Sequence, residues 1–133
     1  MGSIFGSNKG DDLNKAVMEG NIASINAVLS MGVNVDARNK DGLTALYQAV
    51  LTGRVDVADF LISRGANVNK KDRLGNTPLH IAACSGNIKM VELLISKGAN
   101  INGKNNMGRT PLAWVSNEAR EEMTELLKKH GAR

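Results

Sequence analysis

One period runs through the chain. Gly42, Gly75 and Gly108 recur every 33 residues, as do Gly20, Gly53 and Gly86, and Gly32, Gly65, Gly98 and Gly131. Apolar positions keep the same step: Leu13, Leu46, Leu79 and Leu112; Ala16, Ala49 and Ala82; Leu61, Leu94 and Leu127. A fixed spacing of roughly 20 to 50 residues marks a repeat architecture, in which small units stack upon one another. No single unit can bury its apolar face, so each neighbour supplies part of the other's core.

The unit is clearest from Asp72 to Lys104, "DRLGNTPLHIAACSGNIKMVELLISKGANINGK". Gly75 falls in a turn. Thr77 stands where a side-chain oxygen can accept a backbone N–H at a helix start, and Pro78 occupies the first helical position, where its missing N–H costs little. "LHIAACS" reads as a short helix that Gly86 can end in the left-handed conformation. Asn87 can cap a second helix, "IKMVELLISK", in which Ile88, Val91, Leu94 and Ile95 share one stripe. Gly98 is the next stop, and "ANINGK" is too short and too polar for a third helix.

A 33-residue turn–helix–helix unit with T-P-L-H-x-A resembles the ankyrin repeat. The resemblance covers about residues 11 to 133. It implies an all-α fold, an ankyrin-repeat solenoid of helix–turn–helix pairs joined by β-turn or hairpin loops. A flexible tail is expected over residues 1–10, then four repeats at about 11–38, 39–71, 72–104 and 105–133, two internal and two capping. The units differ. The second has "GLTALYQAV", with Tyr47 at the histidine position; the fourth has "GRTPLAWVS", with Ala113 there and Ala119 at a glycine position. The first carries "DDLNKAV" and no turn signature, with Asp11 at the capping position, where a carboxylate also suits the helix dipole. Capping repeats need polar outer faces, and "NEAREEMTELLKKHGAR" provides one at the C-terminal end.

Composition agrees with such a core. Of 133 residues, 42% are hydrophobic and only 3% aromatic, so Leu, Ile, Val, Ala and Met must build the interior. A lone cysteine forms no internal disulfide. "MGSIFGSNKGDD" lacks a basic segment followed by an apolar one, so no signal peptide is read there, and no run reaches the roughly 18 apolar residues of a membrane span. Gly2 invites an acylation reading, but position 6 is Gly6 where the motif asks for Ser or Thr. A cytoplasmic protein is expected. Lys+Arg exceed Asp+Glu by 17 to 13, a net +4, which favours acidic partners without arguing for nucleic acid by itself.

His80 and Cys84 lie four apart, a spacing that puts both on one face of a helix. That pattern fits a catalytic dyad, half of a metal site, or neither. No second cysteine, HExxH motif or phosphate-binding glycine loop accompanies it. No enzyme activity, metal or cofactor is therefore expected. The resemblance implies instead that His80 hydrogen-bonds Thr77 in the turn and that Cys84 lines a groove. Trp114 stands where Ile81 stands one unit earlier and is expected to pack inward.

The resemblance implies a protein-interaction module that uses turn tips and the inner face of each first helix as one concave surface. Projected onto this chain, the tips supply Arg38, Lys40, Asp41 and Leu43, then Lys71, Arg73, Leu74 and Asn76, then Lys104, Asn106, Met107 and Arg109. The first helices supply Leu51, Thr52, Cys84 and Ser85, with Asn117 and Glu118 from the last unit. Cations interleaved with apolar groups suit a protein partner with an acidic, partly apolar patch, bound by a monomer. Nucleic-acid binding through the same tips is the alternative, and it lacks the aromatic platforms that stacking needs. A structural subunit that docks to another copy is the third possibility.

Overall fold

The computed structural model describes residues 9–117 and 119–133. Most of the tail expected over residues 1–10, Gly2 and its acylation motif, and Glu118 lie outside the described residues. Lys9 and Gly10 do not belong to a tail: they open the first helix.

Among the described residues are seven α-helices, one 3-10 turn and no strand. They are α1 (Lys9–Glu19), α2 (Ile22–Ser30), α3 (Ala45–Leu51), α4 (Val55–Ser63), α5 (Pro78–Ser85), α6 (Ile88–Ser96), the 3-10 turn Pro111–Trp114 and α7 (Arg120–Lys129). Packing divides the chain into two units, the first ending at Asn67 and the second beginning at Val68. In the first, α1 packs on α2 and α3, and α3 packs on α4. In the second, α5 packs on α6 and on the 3-10 turn, and α6 packs on α7.

The leucine ladders are the core. Leu13, Leu46 and Leu61 are fully buried in the first unit; Leu79, Leu94 and Leu127 are buried in the second. Each such side chain contributes about 1.5–3 kcal/mol over leaving it in water. Leu112, on the 3-10 turn, is only half-buried.

Side-chain caps mark the starts of α2, α3 and α6. Thr44 Oγ1 accepts the Tyr47 N–H at 3.2 Å at the head of α3. Asn21 Oδ1 accepts the Ala23 N–H at 3.0 Å for α2, and Asn87 Oδ1 accepts the Met90 N–H at 3.1 Å for α6. Thr110 makes no side-chain cap bond, and the helix expected from "TPLAWVS" stops after one 3-10 turn. The start of the first unit also differs from expectation. Asp11 lies inside the first turn of α1, and its Oδ1 accepts the Lys40 N–H at 3.0 Å. It ties the helix to the next turn as well as favouring the helix dipole.

Between α5 and α6, Gly86 has φ +74°. One period later, Ala119 holds φ +53° before α7, the one positive φ of a non-glycine among the described residues. An L-residue with a Cβ pays roughly 1–2 kcal/mol for that conformation, so the repeat geometry overrides local preference at Ala119.

A second side-chain ladder clips consecutive repeats. Asp36 Oδ1 accepts the Asn67 N–H at 3.0 Å, Asn69 Oδ1 the Asn100 N–H at 2.8 Å, and Asn102 Oδ1 the Arg133 N–H at 3.0 Å. Among the described residues no helix is long and apolar enough to cross a membrane.

Candidate partner-binding site

Each turn tip is built by one side chain. Asn39 Oδ1 accepts the N–H groups of Asp41 and Leu43 at 2.9 and 3.0 Å. Asp72 Oδ1 accepts those of Leu74 and Asn76 at 2.9 and 2.8 Å, and Asn105 Oδ1 those of Met107 and Arg109 at 2.9 and 3.0 Å. Such short polar side chains stabilise tight turns by bonding the backbone just ahead of them. They hold the turns at Tyr47 and Ala113, where no histidine is available.

The tips turn their middle residues outward. In the first unit, Arg38, Lys40 and Asp41 are exposed and Leu43 is half-buried. Arg38 Nη1–H donates to the Gly42 carbonyl at 2.8 Å. In the second unit, Lys71, Arg73, Lys104, Asn106 and Arg109 are exposed, with Leu74 at 66% and Met107 at 76%. Asn76 is not available to a partner: it is buried, with its Oδ1 accepting from Asn105 Nδ2 at 2.9 Å. Its amide joins the tip of repeat three to that of repeat four, which the sequence reading did not foresee.

The two tips of the second unit are in direct contact. The Asn106 N–H donates to the Leu74 carbonyl at 2.9 Å, Asn106 Nδ2 to the Arg73 carbonyl at 3.1 Å, and Lys71 Nζ to the Lys104 carbonyl at 3.2 Å. Gly75 permits this approach. Its φ is +81°, and a Cβ there would lie 2.5 Å from Asn106 Oδ1 and 2.8 Å from the Asn106 nitrogen. Leu74 and Met107 therefore stand on adjacent tips amid four cationic side chains. Asp72, the carboxylate of these tips, is half-buried and accepts the two turn N–H groups.

At the first-helix ends, Leu51 is 52% exposed and Thr52, Cys84, Ser85 and Asn117 are also exposed. Thr52 Oγ1 donates back to the Gln48 carbonyl at 2.9 Å, and Ser85 Oγ to the Ile81 carbonyl at 3.0 Å. Both hydroxyls thus spend their hydrogens on their own helices. The sequence reading missed Met18, 48% exposed in the first unit, whose Sδ lies 3.0 Å from Gln48 Nε2. The period would have found it, since Met18, Leu51, Cys84 and Asn117 are 33 apart.

His80 and Cys84 do not form a dyad. His80 is fully buried. Its Nδ1 accepts the Thr77 N–H at 3.1 Å and lies 2.9 Å from Thr77 Oγ1, while Nε2–H donates to the Arg109 carbonyl at 2.9 Å. Both ring nitrogens are committed to the turn and the next repeat. Burial lowers the His80 pKa; the Arg109 carbonyl pulls the other way, Lys71 adds to the lowering and Asp72 opposes it. Cys84 is exposed. Trp114 is half-buried, its ring edge-on to His80 with centroids 6.0 Å apart and planes at 86°. It closes the contact between α5 and the 3-10 turn.

Two family models match the chain. One is described as ankyrin repeats in three copies and covers residues 70–133; the other, ankyrin repeats in many copies, covers residues 13–62. No curated protein matches it.

Proposed function

The chain belongs to the ankyrin-repeat family, whose members are generally protein-interaction modules, and from that premise we propose that it binds a protein partner with an acidic, partly apolar surface. The observation that carries this reading is the paired tip of the second unit. Leu74 and Met107, two-thirds and three-quarters exposed, sit between Lys71, Arg73, Lys104 and Arg109. Exposed apolar groups inside a cationic frame favour a partner that brings carboxylates around an apolar anchor. In the second unit Cys84 and Ser85 are further candidates for contact; in the first unit the candidates are Arg38, Lys40, Leu51, Thr52 and Met18, all exposed.

The test is capture from the lysate of the cells that make the protein. The intact chain is compared with Leu74→Ser/Met107→Ser and with Lys104→Glu/Arg109→Glu. Both variants lose the bound protein while keeping the thermal midpoint, because all four side chains are exposed. Undiminished capture by both variants, or capture abolished by nuclease, overturns the reading.

A further inference from the structure

Beside α1 and α2 the first unit carries an open groove of about 390 Å³. Ala16, Val28 and Val33 line it with small and branched apolar groups, and Lys9, Asp12, Lys15 and Glu19 line it along α1. One period later the positions of Asp12, Ala16, Val28 and Val33 are Ala45, Ala49, Leu61 and Ala66, all buried in the same unit. The groove is therefore a stacking face, the kind of surface that the second repeat has covered.

We propose that this groove is the contact surface of a closed two-fold dimer of the chain, with the α1 helices of the two copies antiparallel. Two observations select a second copy as the occupant. The first is the row of charges along α1: Lys9, Asp12, Lys15 and Glu19 alternate in sign. Read in reverse, the row is its own complement, so an antiparallel copy sets cations against carboxylates, whereas a parallel copy sets like against like. The second is Met31, which lines the groove and is 62% exposed. An isologous interface needs a protrusion and a recess on the same patch. Met31 is the protrusion, and the small residues Ala16 and Val33 leave the recess. This departs from the monomer expected from the sequence, and it does not rest on the tips as a partner site.

The experiment is sedimentation equilibrium of the full chain over rising concentration. The expected mass climbs from one chain to a plateau at two. Met31→Asp, a change at an exposed side chain, holds the mass at one chain with helix content unchanged. Lys9→Glu/Lys15→Glu and Asp12→Lys/Glu19→Lys are each monomeric alone, and their equimolar mixture returns to two chains. Leu74→Ser/Met107→Ser dimerises as the parent does. A single-chain mass at every concentration, a dimer that survives Met31→Asp, or a mass that rises past two without a plateau overturns the proposal.

Discussion

His80 Nε2 lies 2.9 Å from the carbonyl oxygen of Arg109, 29 residues further along the chain. A carbonyl only accepts, so Nε2 carries the ring proton and Nδ1 is free to accept the Thr77 N–H. One imidazole thus closes its own turn and binds the next repeat. Asn14, 66 residues earlier and at the same position of the repeat, does likewise: its Nδ2 donates to the carbonyls of Gly10 at 2.9 Å and Leu43 at 3.4 Å. At these two joints a polar side chain reaches 29 residues ahead, a histidine in one and an asparagine in the other.

His80→Ala should destabilise the protein by about 3 kcal/mol, since it opens a cavity and takes away the partner of the buried Thr77 N–H and of the Arg109 carbonyl. Urea denaturation measures the loss. A loss under about 1 kcal/mol would mean that water replaces the ring at little cost.

The same ring makes stability depend on pH. Burial lowers the folded-state pKa of His80 below its ordinary 6.5. The unfolded chain therefore binds the proton more readily, and acid favours unfolding. The stabilisation is complete above about pH 6.5 and falls away as the pH drops from there through the lower folded-state value. The urea midpoint should be flat between about pH 8 and 7 and decline toward pH 5. His80→Gln should flatten that decline.

Ala119→Gly should stabilise the protein by about 0.5–1 kcal/mol, because relief of the left-handed strain exceeds the entropy that glycine adds to the unfolded chain. The reverse exchange, Gly86→Ala, should cost about 1 kcal/mol at the equivalent position. Thermal midpoints of the two variants should move in opposite directions.

Gly75 and Gly98 separate conformation from crowding. Both have positive φ, +81° and +93°, but a Cβ at Gly98 meets nothing within 4 Å, whereas one at Gly75 meets the Asn106 backbone nitrogen at 2.8 Å. Gly98→Ala should cost about 1–2 kcal/mol for the left-handed backbone alone. Gly75→Ala should cost more, and it should weaken amide-exchange protection at Asn106, which bonds Leu74 across the tips.

The sequence by itself determined the repeat, its period, the all-α class, and the caps at Thr77, Asn87 and Gly86. These rest on bonds that span a few residues and on apolar spacing, so the residues that make them stand next to one another in the chain. The tertiary structure alone decided what those residues touch beyond their own unit. The sequence puts Asp11 at a cap, and in the fold it holds the Lys40 N–H; the sequence puts Asn76 on the contact surface, and in the fold it is buried and bonded to Asn105. Trp114 is half-buried, and the "TPLAWVS" helix stops at one 3-10 turn. The outcomes at Asp11, Asn76 and Trp114 each depend on a group 29 to 34 residues away. Local periodicity says which face of a helix is apolar, but it does not say which polar group arrives from the next repeat to claim a donor or an acceptor.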